Sequence, residues 1–94
     1  MDQVHKFKGC HVSYAIRLAG DIAVYVGHSS QIEERMFAHG SGRGAKVTRT
    51  FPPNGQILHI AEHQTAREAM LCEVALFNLW AGILGPERVR GGRW

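Results

Sequence analysis

The chain has 94 residues, of which 45% are hydrophobic and 20% are charged. This composition excludes a disordered chain and predicts a single folded domain over residues 1–94. Eleven Lys and Arg residues against eight Asp and Glu residues give a formal net charge of +3 at pH 7, an excess that permits an anionic partner without proving one.

Cysteine usage and hydropathy predict a cytoplasmic protein. Cys10 and Cys72 are too few for the disulfide framework of a small secreted domain, so we expect reduced thiols. Residues 1–9 alternate polar and apolar side chains, and we expect no export signal there. The longest apolar stretch, residues 69–84, contains Glu73 and is shorter than the roughly 18 residues of a spanning helix, so we expect no membrane span.

The start of the chain predicts a β-hairpin. Apolar residues alternate with polar or small ones over residues 12–18, which is the period of a strand. Residues 22–27 are mostly β-branched or aromatic and predict a second strand. Gly20-Asp21 lies between them and is typical of two-residue hairpin loops. We therefore expect the first two strands to pair antiparallel.

This hairpin would place two tyrosines on one face. With Gly20-Asp21 as the loop, Ile16 faces Tyr25, and Tyr14 is then the diagonal neighbour of Tyr25. Diagonal neighbours lie about 7–8 Å apart, within reach of aromatic side chains, so the two phenol hydroxyls can converge. A slip of one residue would send the rings to opposite faces. The alternative is that both tyrosines serve only as good strand formers.

A short helix is predicted after the hairpin. Ser30 and Glu33 have the spacing of a capping box, which predicts a helix over residues 31–39. Arg35 and His39 are four positions apart and share one face of that helix. An arginine can hold a phosphate with its planar fork of donors, and a histidine can move a proton near neutral pH. A solvated helix face without a function is the alternative.

Two segments carry much of the positive charge. Residues 40–55 are rich in glycine and contain no acidic residue, which predicts a flexible basic loop. Residues 86–94 include two adjacent glycines and predict an extended tail. We expect both segments to bind phosphates through their cations, which are Arg43, Lys46, Arg49, Arg88, Arg90 and Arg93. Packing of the tail on the domain through Val89 and Trp94 is the alternative.

A third strand and a long helix are predicted in the second half of the chain. Residues 57–61 fit a strand, and Thr65 with Glu68 forms a second capping box. The helix that follows ends at Gly85-Pro86. The resulting order is β-β-α-β-α, which predicts an α+β fold.

Glu73 is the only charged residue between positions 69 and 84. Burial of an unpaired carboxylate is costly, so this side chain must be exposed, paired or bound to a cation. A hard divalent ion such as Mg²⁺ needs only one or two carboxylates, because water and substrate phosphates fill its remaining positions. A glutamate on the solvent-facing stripe of the helix is the alternative.

His59, Glu62 and His63 spell H-x-x-E-H, the signature of one class of zinc peptidases. That motif works on a helix, where both histidines share a face, whereas residues 57–61 predict a strand. A zinc peptidase is therefore an alternative that would contain stoichiometric zinc.

Taken together, these residues resemble the GIY-YIG nuclease family. Val12-Ser13-Tyr14 and Tyr25-Val26-Gly27 stand where the family has its two-part signature, with ten residues between them. Further pieces follow in the family's order, namely Arg35, His39, residues 42–49 and residues 68–73. The resemblance extends from residue 12 to about residue 80.

The resemblance implies a three-stranded antiparallel sheet flanked by helices, and metal-dependent hydrolysis of DNA phosphodiester bonds. Tyr14 would help activate the attacking water, and Tyr25 would position the nucleophile or the phosphate. Arg35 would stabilise the charge of the phosphorane, and His39 would assist proton transfer. Glu73 would hold a single Mg²⁺ or Mn²⁺ ion.

DNA is the partner that the resemblance implies. The residues expected to contact it are Gly27, His28, Arg43, Lys46, Arg49, Arg88, Arg90 and Arg93. Two features depart from the family pattern. The first motif reads Val-Ser-Tyr rather than Gly-Ile-Tyr, and the family's asparagine after the glutamate has no counterpart unless Arg88 or Arg90 replaces it. A nucleic-acid-binding module that does not cleave is therefore the alternative to a Mg²⁺-dependent endonuclease.

Overall fold

Two helices lie on opposite faces of a four-stranded sheet, in a computed structural model that describes residues 9–40 and 53–91. The side chains of residues 38–40 and 53–55 lie outside the described part. The elements in chain order are β1 (His11–Leu18), β2 (Val24–Ser29), α1 (Ile32–Gly40), β3 (Pro53–His63), α2 (Ala66–Leu84), a 3₁₀ helix (Pro86–Arg88) and β4 (Val89–Arg90). The predicted α+β class is confirmed.

The sheet has the strand order β3-β1-β2-β4. β1 pairs antiparallel with both β2 and β3, as predicted for a three-stranded sheet. The prediction was wrong in one respect, because β4 adds a fourth strand that runs parallel to β2. A strand of two residues is too short to show a period of two in the sequence.

The hairpin register is the predicted one. Ile16 pairs with Tyr25, and the Leu18 N–H donates to the carbonyl of Ala23 at 2.8 Å. Gly20 has a φ of 122°, in the region that glycine adopts most easily, so the turn depends on the residue that predicted it. β2 begins at Val24 rather than at the expected residue 22.

β1 separates two hydrophobic clusters, because its successive side chains point to opposite faces of the sheet. The cluster that includes α1 consists of Val12, Tyr14, Ile16, Leu18, Ile22, Ile32 and Met36. The cluster that includes α2 consists of Ala15, Val24, Val26, Leu76, Phe77 and Val89. Each helix therefore has its own core beneath it, and β1 contributes to both.

The helix termini show how the sequence sets their limits. α1 begins at Ile32, one residue after the predicted start, and just before it the Gln31 N–H donates to Ser29 Oγ at 2.9 Å. The predicted capping box of α2 is confirmed, since the Glu68 N–H donates to Thr65 Oγ1 at 3.1 Å. α2 ends at Leu84, and the capping residue Gly85 that follows has a φ of 96°. In the described ranges 9–40 and 53–91, no helix is long and apolar enough to cross a membrane.

Residues 86–91 pack on the sheet, whereas the sequence predicted an extended tail for residues 86–94. Val89 is 1% exposed and pairs with Val24 of β2. The Ala23 N–H donates to the carbonyl of Arg88 at 2.8 Å, which ties the hairpin to the segment after α2. The burial of Val89 and the pairing of β4 with the edge of β2 hold this segment on the domain, although its glycines and arginines predicted an extended tail.

We expect Val89→Ala to lower the free energy of unfolding by about 2 kcal/mol, because it removes two buried methyl groups and leaves a small cavity. Urea denaturation measures this change. Arg90→Ala is the matched control, since Arg90 is exposed on the same two-residue strand and its loss should change stability by less than about 0.5 kcal/mol. Equal stability of the wild type and the Val89→Ala variant would mean that β4 does not contribute to the fold.

Candidate active site

The two tyrosines converge on the face of the sheet that α1 covers. Their ring centroids are 6.4 Å apart, and the rings are tilted by 42°. Tyr14 is 0% exposed, and Tyr25 is half-buried. The predicted convergence is confirmed, and it follows from the pairing of Ile16 with Tyr25 across the hairpin.

Gly27 makes room for the Tyr14 ring. The two residues are paired across β1 and β2, so their side chains would point to the same face. A Cβ atom on Gly27 would lie 2.5 Å from Tyr14 Oη and 2.6 Å from Cζ, much closer than carbon and oxygen atoms approach without bonding. Sequence reasoning assigned Gly27 to DNA binding, which stays a prediction; its packing against Tyr14 was missed.

α1 brings Arg35 to the tyrosine hydroxyls. Ile32 and Met36 are buried in the core on the same helix, and they fix its rotation over the sheet. The Arg35 guanidinium lies within hydrogen-bonding reach of the hydroxyls of Tyr14 and Tyr25. Burial lowers the pKa of Arg35, but the two tyrosines outweigh that effect and the net pKa is raised. A fixed cation therefore stands next to both phenols.

Burial is the main cause that raises the pKa of both tyrosine hydroxyls above their ordinary value of about 10. The Arg35 cation lowers both pKa values in part, and the Glu73 carboxylate raises them. Two consequences follow. Both phenols keep their protons near neutral pH and can donate hydrogen bonds, and Glu73 lies close enough for its charge to act on the tyrosine pair.

Glu73 is buried in α2 and is paired with a histidine. Its side chain is 1% exposed, and Oε1 lies 2.5 Å from Nδ1 of His28 on β2. The sequence required this carboxylate to be exposed, paired or metal-bound, and the structure shows the paired state. Because a carboxylate has only acceptors, the Nδ1–H of His28 donates this hydrogen bond.

Three polar side chains beside Glu73 were not singled out together from the sequence. Ser13 is 0% exposed, and its Oγ donates to Sγ of Cys72 at 3.0 Å. His63 Nε2 lies 2.9 Å from the same Oγ atom. Cys72 directly precedes Glu73, but the contact with Ser13 spans 59 positions and has no local sequence signal. No disulfide joins Cys10 and Cys72.

Of the five predicted catalytic residues, the structure brings Tyr14, Tyr25 and Arg35 together, and it places Glu73 on the opposite helix, close enough for its charge to act on both tyrosine hydroxyls. The fifth, His39, lies on α1, but its side chain is outside the described part. The six cations predicted to bind phosphates fall into two groups. Arg88 and Arg90 are exposed near β4, and Arg43, Lys46, Arg49 and Arg93 lie outside the described residues.

The H-x-x-E-H motif lies on a strand. His59, Glu62 and His63 all belong to β3, where successive residues face opposite sides of the sheet. Within residues 9–40 and 53–91, no three His, Cys, Asp or Glu side chains are grouped so that they could hold a metal ion. The motif therefore lacks the helical geometry that the zinc-peptidase alternative requires.

A hard divalent cation fits the donor that α2 presents. Glu73 supplies an anionic oxygen donor, and carboxylate oxygen is the ligand that Mg²⁺ and Mn²⁺ prefer in proteins. Mg²⁺ binds through one or two carboxylates and completes its shell with water and substrate phosphates. Since the described residues hold no larger ligand group, such an ion would bind at Glu73 together with water or a phosphate.

Comparison with known proteins identifies the family of the chain. The sequence pattern described as the GIY-YIG catalytic domain matches residues 10–80. A UPF0213 protein of Lactococcus lactis subsp. cremoris is 35% identical over 63 residues, which cover 67% of this chain and 62% of the relative. A UPF0213 protein of Bacillus pumilus is 36% identical over 70 residues, which cover 74% and 68%. No solved structure matches the chain.

These findings define the class of the protein as a small α+β domain with a nuclease fold. The chain belongs to the GIY-YIG family. The match spans less than two thirds of the length of the Lactococcus lactis relative, 62%, so that protein contains residues beyond the shared region.

We expect Gly27→Ala to displace the Tyr14 ring and to lower the free energy of unfolding by about 1–3 kcal/mol, because the new methyl group overlaps the phenol. Thermal unfolding measures the change. Gly82→Ala is the control, since nothing lies within 4 Å of a Cβ at that position in α2. That variant should gain about 0.5–1 kcal/mol. Two equally stable variants would show that Gly27 is not needed for space.

The raised pKa values predict the alkaline behaviour of the protein. Tyr14 and Tyr25 are its only tyrosines, so ultraviolet absorbance of tyrosinate reports on this site alone. Because folding raises both pKa values, the neutral phenols stabilise the folded state fully below about pH 10, and this stability is lost as the pH rises further. We expect native protein to ionise at higher pH than protein in guanidinium chloride. Coincident titrations would contradict the burial of the pair.

Proposed function

We propose that the protein is a metal-dependent endonuclease that nicks or cleaves DNA by hydrolysis of a phosphodiester bond. The observation that carries this proposal is the cluster of Tyr14, Tyr25 and Arg35, with the Glu73 charge acting on it, in a chain of a nuclease family. Phosphodiester hydrolysis needs a positioned water, a cation at the phosphorane oxygens and a proton for the leaving group. The site contains side chains suited to the first two tasks.

Glu73 would hold the Mg²⁺ or Mn²⁺ ion. When bound, the ion supplies positive charge to the phosphate and lowers the pKa of a coordinated water. The carboxylate is attached to α2, whose capping box and packed core residues fix its position. Glu73 therefore contributes a single anionic donor from a rigid element, which limits the conformational entropy that metal binding costs.

Arg35 supplies the fixed positive charge of the protein itself. Its guanidinium is held at the tyrosine hydroxyls. A phosphate bound at this position would accept two parallel hydrogen bonds from the guanidinium. Such donors stabilise the extra negative charge of a phosphorane without reorganisation during the reaction. We assign charge stabilisation to Arg35 on this basis.

Tyr14 and Tyr25 act as hydrogen-bonding phenols. Because burial raises the pKa of each hydroxyl, neither is a ready base near neutral pH. Tyr14 would help activate the attacking water by orienting it, and Tyr25 would position the nucleophile or the phosphate. His39, four positions after Arg35 on α1, remains the candidate for proton transfer to or from these groups.

Duplex DNA would contact the exposed cations around the site. Arg88 and Arg90 lie at the β4 edge of the sheet, and His28 and Gly27 lie on the neighbouring strand. The remaining proposed contacts are Arg43, Lys46, Arg49 and Arg93. Phosphate contacts of this kind position a duplex without reading its sequence. A cytoplasmic location would agree with two cysteines that form no disulfide with each other.

A module that binds nucleic acid without cleaving it is the second candidate, and one observation favours it. Tyr14 is 0% exposed and Glu73 is 1% exposed, so neither side chain touches solvent in this conformation. Catalysis requires the elements around them to open enough for a phosphate and water to enter. A binding module would need only the exposed cations.

We expect the wild type to nick supercoiled plasmid DNA with Mg²⁺ and not with EDTA. Glu73→Gln should lower the nicking rate at least 100-fold, because a neutral amide is a poor ligand for Mg²⁺, while its oxygen still accepts from His28. Tyr14→Phe should lower the rate about 100-fold with the fold retained. Glu87→Gln, at an exposed carboxylate of the 3₁₀ helix, is the matched control and should be fully active.

Agarose gels that follow the loss of supercoiled plasmid measure these rates. Plasmid binding without nicking by the wild type would favour the non-cleaving module. Full activity of the Glu73→Gln variant would remove Glu73 from the metal site.

A further inference from the structure

Two neighbouring side chains of α2 form hydrogen bonds with two directly paired residues of the sheet. Ser13 of β1 and His28 of β2 are partners in the antiparallel ladder. Ser13 Oγ bonds to Cys72 Sγ at 3.0 Å, and His28 Nδ1 bonds to Glu73 Oε1 at 2.5 Å. We call this set of four residues the helix clamp.

The helix clamp constrains the rotation of α2. Successive residues of an α-helix point about 100° apart around its axis, so bonds from two adjacent residues to two fixed points hold both the rotation and the height of the helix. The apolar contacts of Leu76 and Phe77 on the same helix are non-directional, so they do not fix its rotation in the same way. Hydrogen bonds therefore set the direction of the Glu73 side chain more tightly than packing does.

The Ser13 half of the clamp has a defined donor order. The single hydroxyl hydrogen of Ser13 is used by Cys72 Sγ, so the His63 Nε2–H must be the donor to Ser13 Oγ. His63 on β3 thereby orients the hydroxyl that contacts α2. All three strands of the antiparallel part of the sheet contribute one side chain to the support of this helix segment.

We propose that His28 is a positioning residue for metal binding: its Nδ1–H holds the Glu73 carboxylate in the direction needed to bind the divalent ion, with the Ser13 contact to Cys72 as the adjoining support. This inference rests on the proposed function, because it assumes that Glu73 is the metal ligand. It gives His28 a role different from the DNA contact expected from the sequence. Hydrogen bonds to ligating side chains commonly change metal affinity by about 10- to 100-fold.

The test uses Mn²⁺ as the probe and nuclear magnetic resonance as the readout. In ¹⁵N-labelled protein without DNA, bound Mn²⁺ broadens the amide signals of residues near Glu73. The Mn²⁺ concentration that gives half of this broadening measures affinity without any need for activity. The same spectra show whether each variant is folded.

Asparagine and leucine form a matched pair at His28, because they share a branched shape and differ in the donor. His28→Leu should raise the half-broadening concentration about tenfold, and His28→Asn should restore it to within about threefold of wild type, since its amide N–H can replace the Nδ1–H. Ser13→Ala should have a smaller effect, about threefold. If the leucine variant does not fold, His28→Ala replaces it, because the smaller side chain admits water to the carboxylate.

His59→Ala is the control histidine. His59 is half-buried on β3, and its buried Nε2 atom has no hydrogen-bond partner within residues 9–40 and 53–91, so its loss should leave Mn²⁺ affinity unchanged. Wild-type affinity in the folded leucine variant would overturn the role of His28, as would equal losses in the leucine and asparagine variants. Glu73→Gln distinguishes a failure of the proposed metal site from a failure of the positioning role. If the Glu73→Gln variant binds Mn²⁺ like wild type, the proposed metal site is wrong. If the Glu73→Gln variant loses affinity while the His28 variants keep wild-type affinity, only the positioning role is wrong.

Discussion

The register of β1 against β2 is the constraint on which the site depends. In that ladder Tyr14 lies opposite Gly27, Ser13 lies opposite His28, and Ile16 lies opposite Tyr25. A shift of one residue would exchange the two faces, because side chains alternate along a strand. The tyrosines would then leave Arg35, and His28 would leave Glu73. The short connection between the strands, residues 19–23, thus determines the position of side chains on both sides of the sheet.

The alternation along β1 also explains why one short strand serves two purposes. Its even-numbered residues pack under α1 and include Tyr14, whereas Ser13 and Ala15 face α2. The cation of the site comes from α1 and the carboxylate comes from α2. Buried polar groups of this kind are stable only when their partners are in place, so the packing of each helix and the assembly of the site are coupled.

Much of the site was predictable from the sequence because its signals are local. The alternation before Gly20-Asp21 gave the hairpin and the meeting of the tyrosines, and the Thr65 capping box gave the start of α2. The isolated carboxylate of Glu73 correctly indicated that a partner or a cation was required. The identity of that partner was not predictable, since His28 lies 45 positions away. β4 was missed for a related reason, because Val89 shows its burial only when β2 is beside it.

The most direct test of the account is a crystal structure of the Tyr14→Phe variant with Mn²⁺ and a DNA duplex. The phenylalanine ring keeps the packing against Gly27 and removes the hydroxyl, which should preserve an uncut substrate. We expect an anomalous peak for Mn²⁺ at the Glu73 carboxylate, with a DNA phosphate between the ion and the Arg35 guanidinium. A metal ion bound elsewhere, or DNA that contacts the exposed arginines while Glu73 remains enclosed, would contradict it.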